Sequence, residues 1–209
     1  MRLKKEFFCI GMAFLPFVYL WLSWSALPQH IPIHWNTRGE EDVWGSKAQL
    51  FIPVFIPVLT YILLLVIPFT ATSRKISRMG RKYDGLKDMM VFFMSFLSLY
   101  TIYVAKTQVL FNVSLLAALF FIIMGNYLKV LQPNYYIGIR SPWTLKNDTV
   151  WKQTHLFSGK IWMAAGIALL LANFFIPENL EGYVLIAVLL LISLVPLCYS
   201  YLIYRKLKV

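Results

Sequence analysis

The chain has 209 residues, of which 59% are hydrophobic and 14% charged, whereas ordinary soluble domains run at roughly 45–50% apolar and about 25% charged. That imbalance excludes an ordinary soluble globule. The net charge of +11 would suit a nucleic-acid partner, but its placement assigns it to membrane topology, and no direct nucleic-acid contact is expected.

The apolar residues fall into six blocks, 7–26, 50–71, 89–105, 109–128, 161–176 and 183–204. A crossing helix needs about 17–25 apolar residues for the roughly 30 Å hydrocarbon layer. Five blocks meet that, and the fifth in order does so once residues 157–160 join it, with Lys160 snorkelling at the edge. The expectation is an all-α integral membrane protein with six transmembrane helices. The first block follows Arg2, Lys4 and Lys5 as a signal peptide would. It is too long for a typical h-region and has no clean cleavage site before Pro28, so it is read as a retained helix.

Lys and Arg set the orientation. Of the 20 such residues, only Arg38, Lys47 and Lys106 fall on one set of alternate loops. The other set holds the N-terminus, the 72–88 loop, the 129–160 loop and the C-terminus, so both termini are expected in the cytoplasm. Arg74, Lys75, Arg78, Arg81, Lys82 and Lys87 form a basic loop suited to anionic lipid headgroups. Cys9 and Cys198 fall inside spans, which leaves no disulfide framework and suggests packing residues.

The outer loop, "LPQHIPIHWNTRGEEDVWGSK", is the first segment with chemistry. Pro28 and Pro32 make its start extended or turned. In an extended chain His30 and His34 lie about 13 Å apart, too far to share a metal without a sharp bend. If the loop folds back at Gly39, then His30, His34 and Asp42 are the alternative metal set. The segment lacks the HExxH arrangement of a zinc hydrolase. Read as a docking surface, it offers His34, Trp35, Glu40, Glu41, Asp42 and Trp44 to an amphipathic ligand, although either tryptophan singly fits an interfacial aromatic belt.

The second span, "FIPVFIPVLTYILLLVIPF", carries Pro53, Pro57 and Pro68. Each removes a backbone donor, and a carbonyl freed in lipid needs a protein partner, so this helix is expected inside the bundle. Such a helix suits a two-state receptor or a merely irregular span equally. Spans three and four, joined through Lys106–Gln108, are expected as an antiparallel hairpin, and "PENLEG" makes a short outer turn between spans five and six. No acidic residue lies within the spans, which argues against a proton-coupled transporter or an intramembrane aspartyl protease.

The second segment is cytoplasmic: "GNYLKVLQPNYYIGIRSPWTLKNDTVWKQTHLFSGKIW". Pro133-Asn134, Gly138 and Ser141-Pro142 are turn chemistry. Asn147 caps a helix in which Val150, Thr154, Phe157 and Ile161 share a face, a short interfacial helix feeding the fifth span. Arg140 can bind a phosphate, cap carbonyls or dock a partner.

Both segments carry a resemblance. The first is similar to a short domain of unknown function at the N-terminus of many bacterial multipass proteins, through Pro32, His34, Trp35, Gly39, Asp42 and Lys47. The second closely resembles the signature of the SdpI family, through Gly125, Asn126, Asn134, Gly138, Arg140, Pro142, Trp143, Thr144, Leu145, Trp151 and His155. "GNYLKVLQPN" departs from relatives that carry a proline just after Asn-Tyr-Leu. The resemblance divides the chain into 1–71, a helix pair with the outer loop, and 72–209, the basic loop with a four-helix part. It implies a bacterial cytoplasmic-membrane protein, not an enzyme and without a cofactor, that gives immunity to a secreted membrane-active toxin peptide. It also implies a signalling role, with a cytoplasmic winged-helix autorepressor as partner and Asn126, Asn134, Gly138, Arg140, Pro142, Trp143, Trp151 and His155 as the response motif. The rival is a metal-dependent membrane enzyme or a peptide or lipid transporter built on the outer histidines and acids.

Overall fold

A computed structural model describes residues 2–70, 76, 79–109 and 112–207, with side chains from Glu6 onward. The described elements are helix α1 (Arg2–Ser23), strands β1 (His30–Trp35) and β2 (Glu41–Ser46), and helices α2 (Phe51–Val66), α3 (Arg81–Thr107), α4 (Val113–Leu128), α5 (Pro142–Lys146), α6 (Asp148–Ala172) and α7 (Glu178–Leu207). Among the described residues the regular structure is helical apart from the expected extended loop, which pairs with itself as an antiparallel hairpin. Two compact units divide it. The first holds residues 1–36, 40–66 and 84–111, and the second 37–39, 67–83 and 112–209.

In the first unit α1, α2 and α3 meet the hairpin. Leu20 and Leu27, Ile31 of β1, Leu50, Val54 of α2 and Ile102 of α3 form one buried cluster. The hairpin is therefore rooted among helices by Ile31. Its alternation is broken on purpose by geometry: Ile31 pairs with Gly45 and Pro32 with Trp44, but His34 pairs with Val43 and Trp35 with Glu41. Ile33 and then Asp42 are extra residues, so the ladder bulges twice and re-aims side chains.

Proline placement explains α2. Pro53 sits in its first turn, where no intrahelical donor is needed, and Pro68 lies just past the helix end at Val66. Pro57 is interior and frees the carbonyl four residues earlier, that of Pro53. The Ser98 hydroxyl of α3 donates to it at 2.6 Å, sharing its proton with Met94 O at 2.9 Å. Full burial is thus not required. Contrary to the expectation of an interior helix, α2 buries only Val54, Pro57 and Leu64, and Ile52 and Phe55 stay exposed.

The basic loop is also corrected. Lys87 does not face headgroups: it is 3% exposed on α3, and its Nζ lies 2.6 and 2.7 Å from the two carboxylate oxygens of Glu6 on α1. Tyr61 of α2 donates to the same carboxylate at 3.1 Å, joining three helices. Helix α3 begins at Arg81, so Lys87 is in helical register with the core residues Tyr83 and Leu86 rather than in a loop. Arg81 and Lys82 are exposed; Arg74, Lys75 and Arg78 lie outside the described residues.

In the second unit α4 packs on α6 through small residues. A Cβ at Gly125 would meet the Gly159 carbonyl, and one at Gly166 would meet the Ala118 carbonyl, in both cases closer than 3 Å. Positions 118 and 125 of α4 thus oppose 166 and 159 of α6, an antiparallel seam with a seven-residue step. Small residues at that step let apolar helices approach without help from water exclusion. Pro196 repeats the proline problem in α7, freeing the Ile192 carbonyl, and the Trp162 indole of α6 donates to it at 3.1 Å. The two helices expected as the 106–108 hairpin, α3 and α4, belong to different units. Cys9 is buried as expected, whereas Cys198 is exposed on α7.

Five described helices are long and apolar enough to cross a membrane, namely Glu6–Ala26, Lys47–Phe69, Arg81–Thr107, Asp148–Ala172 and Glu178–Leu207. The remaining expected span, α4, has 16 residues because Asn112 caps it at Val113, four residues later than the apolar block begins. The helix capped by Asn147 runs unbroken through the fifth expected span, so the separate short helix ahead of it is α5.

Candidate functional site

The hairpin holds the first group of expected residues: His34, Trp35, Glu40, Glu41 and Asp42 lie near its tip, and Trp44 pairs with Pro32 further back. Asn36 and Glu40 close the turn: Asn36 N–H donates to Glu40 O at 2.9 Å, and its Nδ2 to Glu40 Oε2 at 2.8 Å. Gly39 takes φ of 79°, which only glycine adopts without strain. The bulged Asp42 meets His34, with Nδ1 to Oδ1 at 2.5 Å, and both side chains are exposed. The alternative metal set is only partly assembled. His30 pairs with Ser46 at the far end of the ladder, away from the His34–Asp42 pair. No group of three or more His, Cys, Asp or Glu is placed to hold a metal among the described residues.

Trp35 differs from Trp44. Trp44 is 48% exposed. Trp35 lines an apolar groove of about 320 Å³ with Ile31, Ile33, Ile52, Pro53 and Thr101, formed by the hairpin, α2 and α3. Its Nε1 is buried and has no hydrogen-bond partner among the described residues. Sequence reading did not find this groove, because it depends on which helix stands behind β1. Lys47, by contrast, is used internally: its Nζ lies 4.7 Å above the Trp24 ring and 3.2 Å from the Trp24 carbonyl.

The second group is built inward. Asn134, 3% exposed, shapes its own loop: Nδ2 donates to the Gln132 and Ile137 carbonyls, and Oδ1 accepts from the Tyr136 and Ile137 N–H groups at 2.8 and 2.7 Å. Gly138, at φ 113°, packs directly on His155 and Trp151, and a Cβ there would strike the imidazole. His155 Nε2 accepts from Ile139 N–H at 3.0 Å, which leaves Nδ1 as the donor to Trp151 O at 2.8 Å. That pattern requires the neutral Nδ1–H tautomer. The Trp151 ring stacks on His155 with centroids 4.0 Å apart, and its Nε1 donates to Leu131 O at 3.0 Å. Ser141 and Thr144 form a capping box with Pro142 in the first turn of α5. Trp143 donates to Ser200 Oγ and packs on Tyr201 and Tyr204 of α7.

Two expected members stand apart from this buried assembly. Asn126 is exposed on α4, and Arg140 is exposed with Nη1 on the Tyr135 carbonyl at 2.7 Å. The Leu131 and Ser200 partners were not signalled by any local pattern, since they lie 20 and 57 residues from Trp151 and Trp143.

Long apolar helices with exposed hydrophobic faces, proline carbonyls served by neighbouring helices and a small-residue helix seam together define a multipass helical membrane protein. Residues 130–200 match the SdpI/YfhL protein family, and residues 11–60 match DUF1648, a domain of unknown function. Immunity protein SdpI of Bacillus subtilis (strain 168) is 26% identical to the chain over 209 residues, covering 99% of each. The chain is thus similar to SdpI/YfhL proteins over residues 130–200 and to an SdpI immunity protein from end to end. No solved structure matches it.

Proposed function

We propose that the protein confers immunity to a secreted, membrane-active toxin peptide. It would sit in a bacterial cytoplasmic membrane with both termini inside and the hairpin outside. The observation that carries this reading is the end-to-end similarity to a protein named for immunity. Charge distribution supports the orientation, since only three of the 20 Lys and Arg residues fall on the hairpin side. The hairpin supports the docking role: it is rooted by Ile31 yet leaves His34, Glu40, Glu41, Asp42 and Trp44 exposed. A metal-dependent enzyme is disfavoured by the separation of His30 from the His34–Asp42 pair.

Signalling is the finer part of the proposal. A peptide outside alters an autorepressor inside only if it binds two states of the helices with different affinity. The α2 helix is the element suited to this, because its Pro57 break is held by one hydroxyl. Arg140 and the neighbouring exposed Tyr135 and Tyr136 would meet the repressor. The test is survival of toxin-sensitive cells expressing the parent, His34→Ala or Arg140→Ala at matched membrane abundance. Protection by the parent that is lost in His34→Ala supports immunity through the hairpin, and Arg140→Ala should keep protection while losing repressor recruitment. A correctly inserted parent that protects against no toxin overturns the reading.

A further inference from the structure

The groove beside Trp35 has a chemistry more specific than a hydrophobic surface. At about 320 Å³ it lies at the small end of the roughly 300–1,000 Å³ typical of ligand sites, so it takes an apolar side chain or two rather than a whole peptide. Its polar members, Thr101, Trp35 and the exposed Gln49 at its edge, are not equivalent. Thr101 donates to Ser98 O at 2.8 Å, whereas Trp35 Nε1 is buried with no partner among the described residues. Trp35 pairs directly with Glu41 across the ladder, and directly opposed residues project from the same face of a hairpin. Glu40 is tied to Asn36 and Asp42 to His34. The Glu41 side chain is exposed and makes no hydrogen bond or ion pair among the described residues. An apolar slot, a buried donor in want of an acceptor and an uncompensated carboxylate therefore share one face.

We propose that Glu41 and the Trp35 groove form a subsite for a basic–apolar residue pair on an amphipathic peptide. The apolar side chain enters between β1 and the start of α2, and the neighbouring Lys or Arg sits on Glu41. The proposal rests on the reading that the hairpin meets a secreted peptide, and it names the chemistry of that meeting. An anionic lipid's acyl chain would fit the walls, but its headgroup would be repelled by Glu41, so the charge favours a cationic peptide over such a lipid.

The probe is a short labelled Leu/Lys amphipathic peptide, with a Leu/Glu counterpart, titrated onto the full chain in phosphatidylcholine nanodiscs and read by fluorescence anisotropy against empty nanodiscs. Glu41→Gln should weaken Leu/Lys binding about threefold to tenfold and flatten its salt dependence. Ile33→Trp, which fills the groove from a 41% exposed position, should weaken it about tenfold. The Leu/Glu peptide should bind at least about tenfold more weakly than Leu/Lys. Equal binding of both peptides, or unchanged binding in both variants, overturns the subsite. So does quenching by brominated phosphatidylcholine of the emission that Trp35→Phe removes, if the Leu/Lys peptide does not relieve it, because lipid then occupies the groove. Cell protection separates this from the broader reading. Full protection by both variants sinks the subsite and spares immunity, whereas variant-sensitive peptide binding by a parent that never protects does the reverse.

Discussion

The hairpin and the 125–162 segment carry the two motifs, and they use polar side chains in opposite ways. Asn134, Thr144 and His155 are buried, and each bonds backbone groups that would otherwise be stranded. His34, Glu40 and Asp42 are exposed, with His34 bonded to Asp42 and Glu40 to Asn36 on the hairpin surface. A buried polar group costs about 1–3 kcal/mol when its partner is removed, while an exposed pair contributes about 0–1 kcal/mol. Family motifs of similar appearance thus mark different things: one is the means by which a loop folds, the other a surface the fold presents.

The largest effects should come from breaking the buried side of that comparison. His155→Ala strands the Ile139 N–H and removes the ring stacked on Trp151, so we expect a loss of about 3–5 kcal/mol, read as a much lower melting temperature in detergent and reduced membrane abundance. Gly138→Ala should resemble it, because its Cβ would meet the imidazole and its φ of 113° disfavours any side chain. If either variant accumulates and melts like the parent, the segment is not self-supporting in the way its hydrogen bonds indicate.

Glu6→Gln comes next. It removes the close anion of Lys87, whose side chain is 4% exposed, and leaves only Asp88, 4.0 Å away. Breaking a buried pair costs about 3–5 kcal/mol, but Glu6 is 30% exposed, so about half that is expected after solvent screening. The double variant Glu6→Gln/Lys87→Met should recover stability; a further fall would show that Lys87 serves something other than Glu6.

The proline devices sharpen the comparison within the helices. Trp162→Phe should cost about 1–3 kcal/mol by orphaning the Ile192 carbonyl, and Ser98→Ala somewhat less, since its proton is shared with Met94 O. Restoring the donor with Pro57→Ala should make the Ser98→Ala cost nearly vanish. Equal costs of Ser98→Ala with and without Pro57 would mean the hydroxyl acts on something other than the freed carbonyl.

These devices also show where sequence reading stops. The spans, the turn at Gly39 and the cap at Asn147 are local, and composition or spacing exposes them. The need for a donor near Pro57 is likewise visible in the sequence. That the donor is Ser98, 45 residues away, is not, because it depends on which face of α3 meets α2. Lys87 was misread for a related reason: charge counted along the chain cannot distinguish a loop cation from one a helix turns inward toward Glu6. A fold at Gly39 was legible as bringing Asp42 back toward the histidines, but that it meets His34 and not His30 depends on the hairpin register and its double bulge. The site residues were legible as types; their partners were decided by packing.

The smallest structural effect should belong to His34→Ala, and it tests the comparison most directly. His34 and Asp42 touch at 2.5 Å, yet their side chains are 62% and 39% exposed. Water replaces either partner once the other is gone, so stability should fall by about 1 kcal/mol or less, with melting temperature and abundance close to the parent. Protection should nonetheless be lost, because the hairpin's contribution lies in what it presents and in how the bulge holds Asp42 beside Glu41. His34→Asn, which can still bond Asp42, should retain more protection than His34→Ala. If His34→Ala instead melts as far below the parent as His155→Ala does, the hairpin is a structural staple like the 125–162 segment, and the ligand-facing surface must be sought elsewhere.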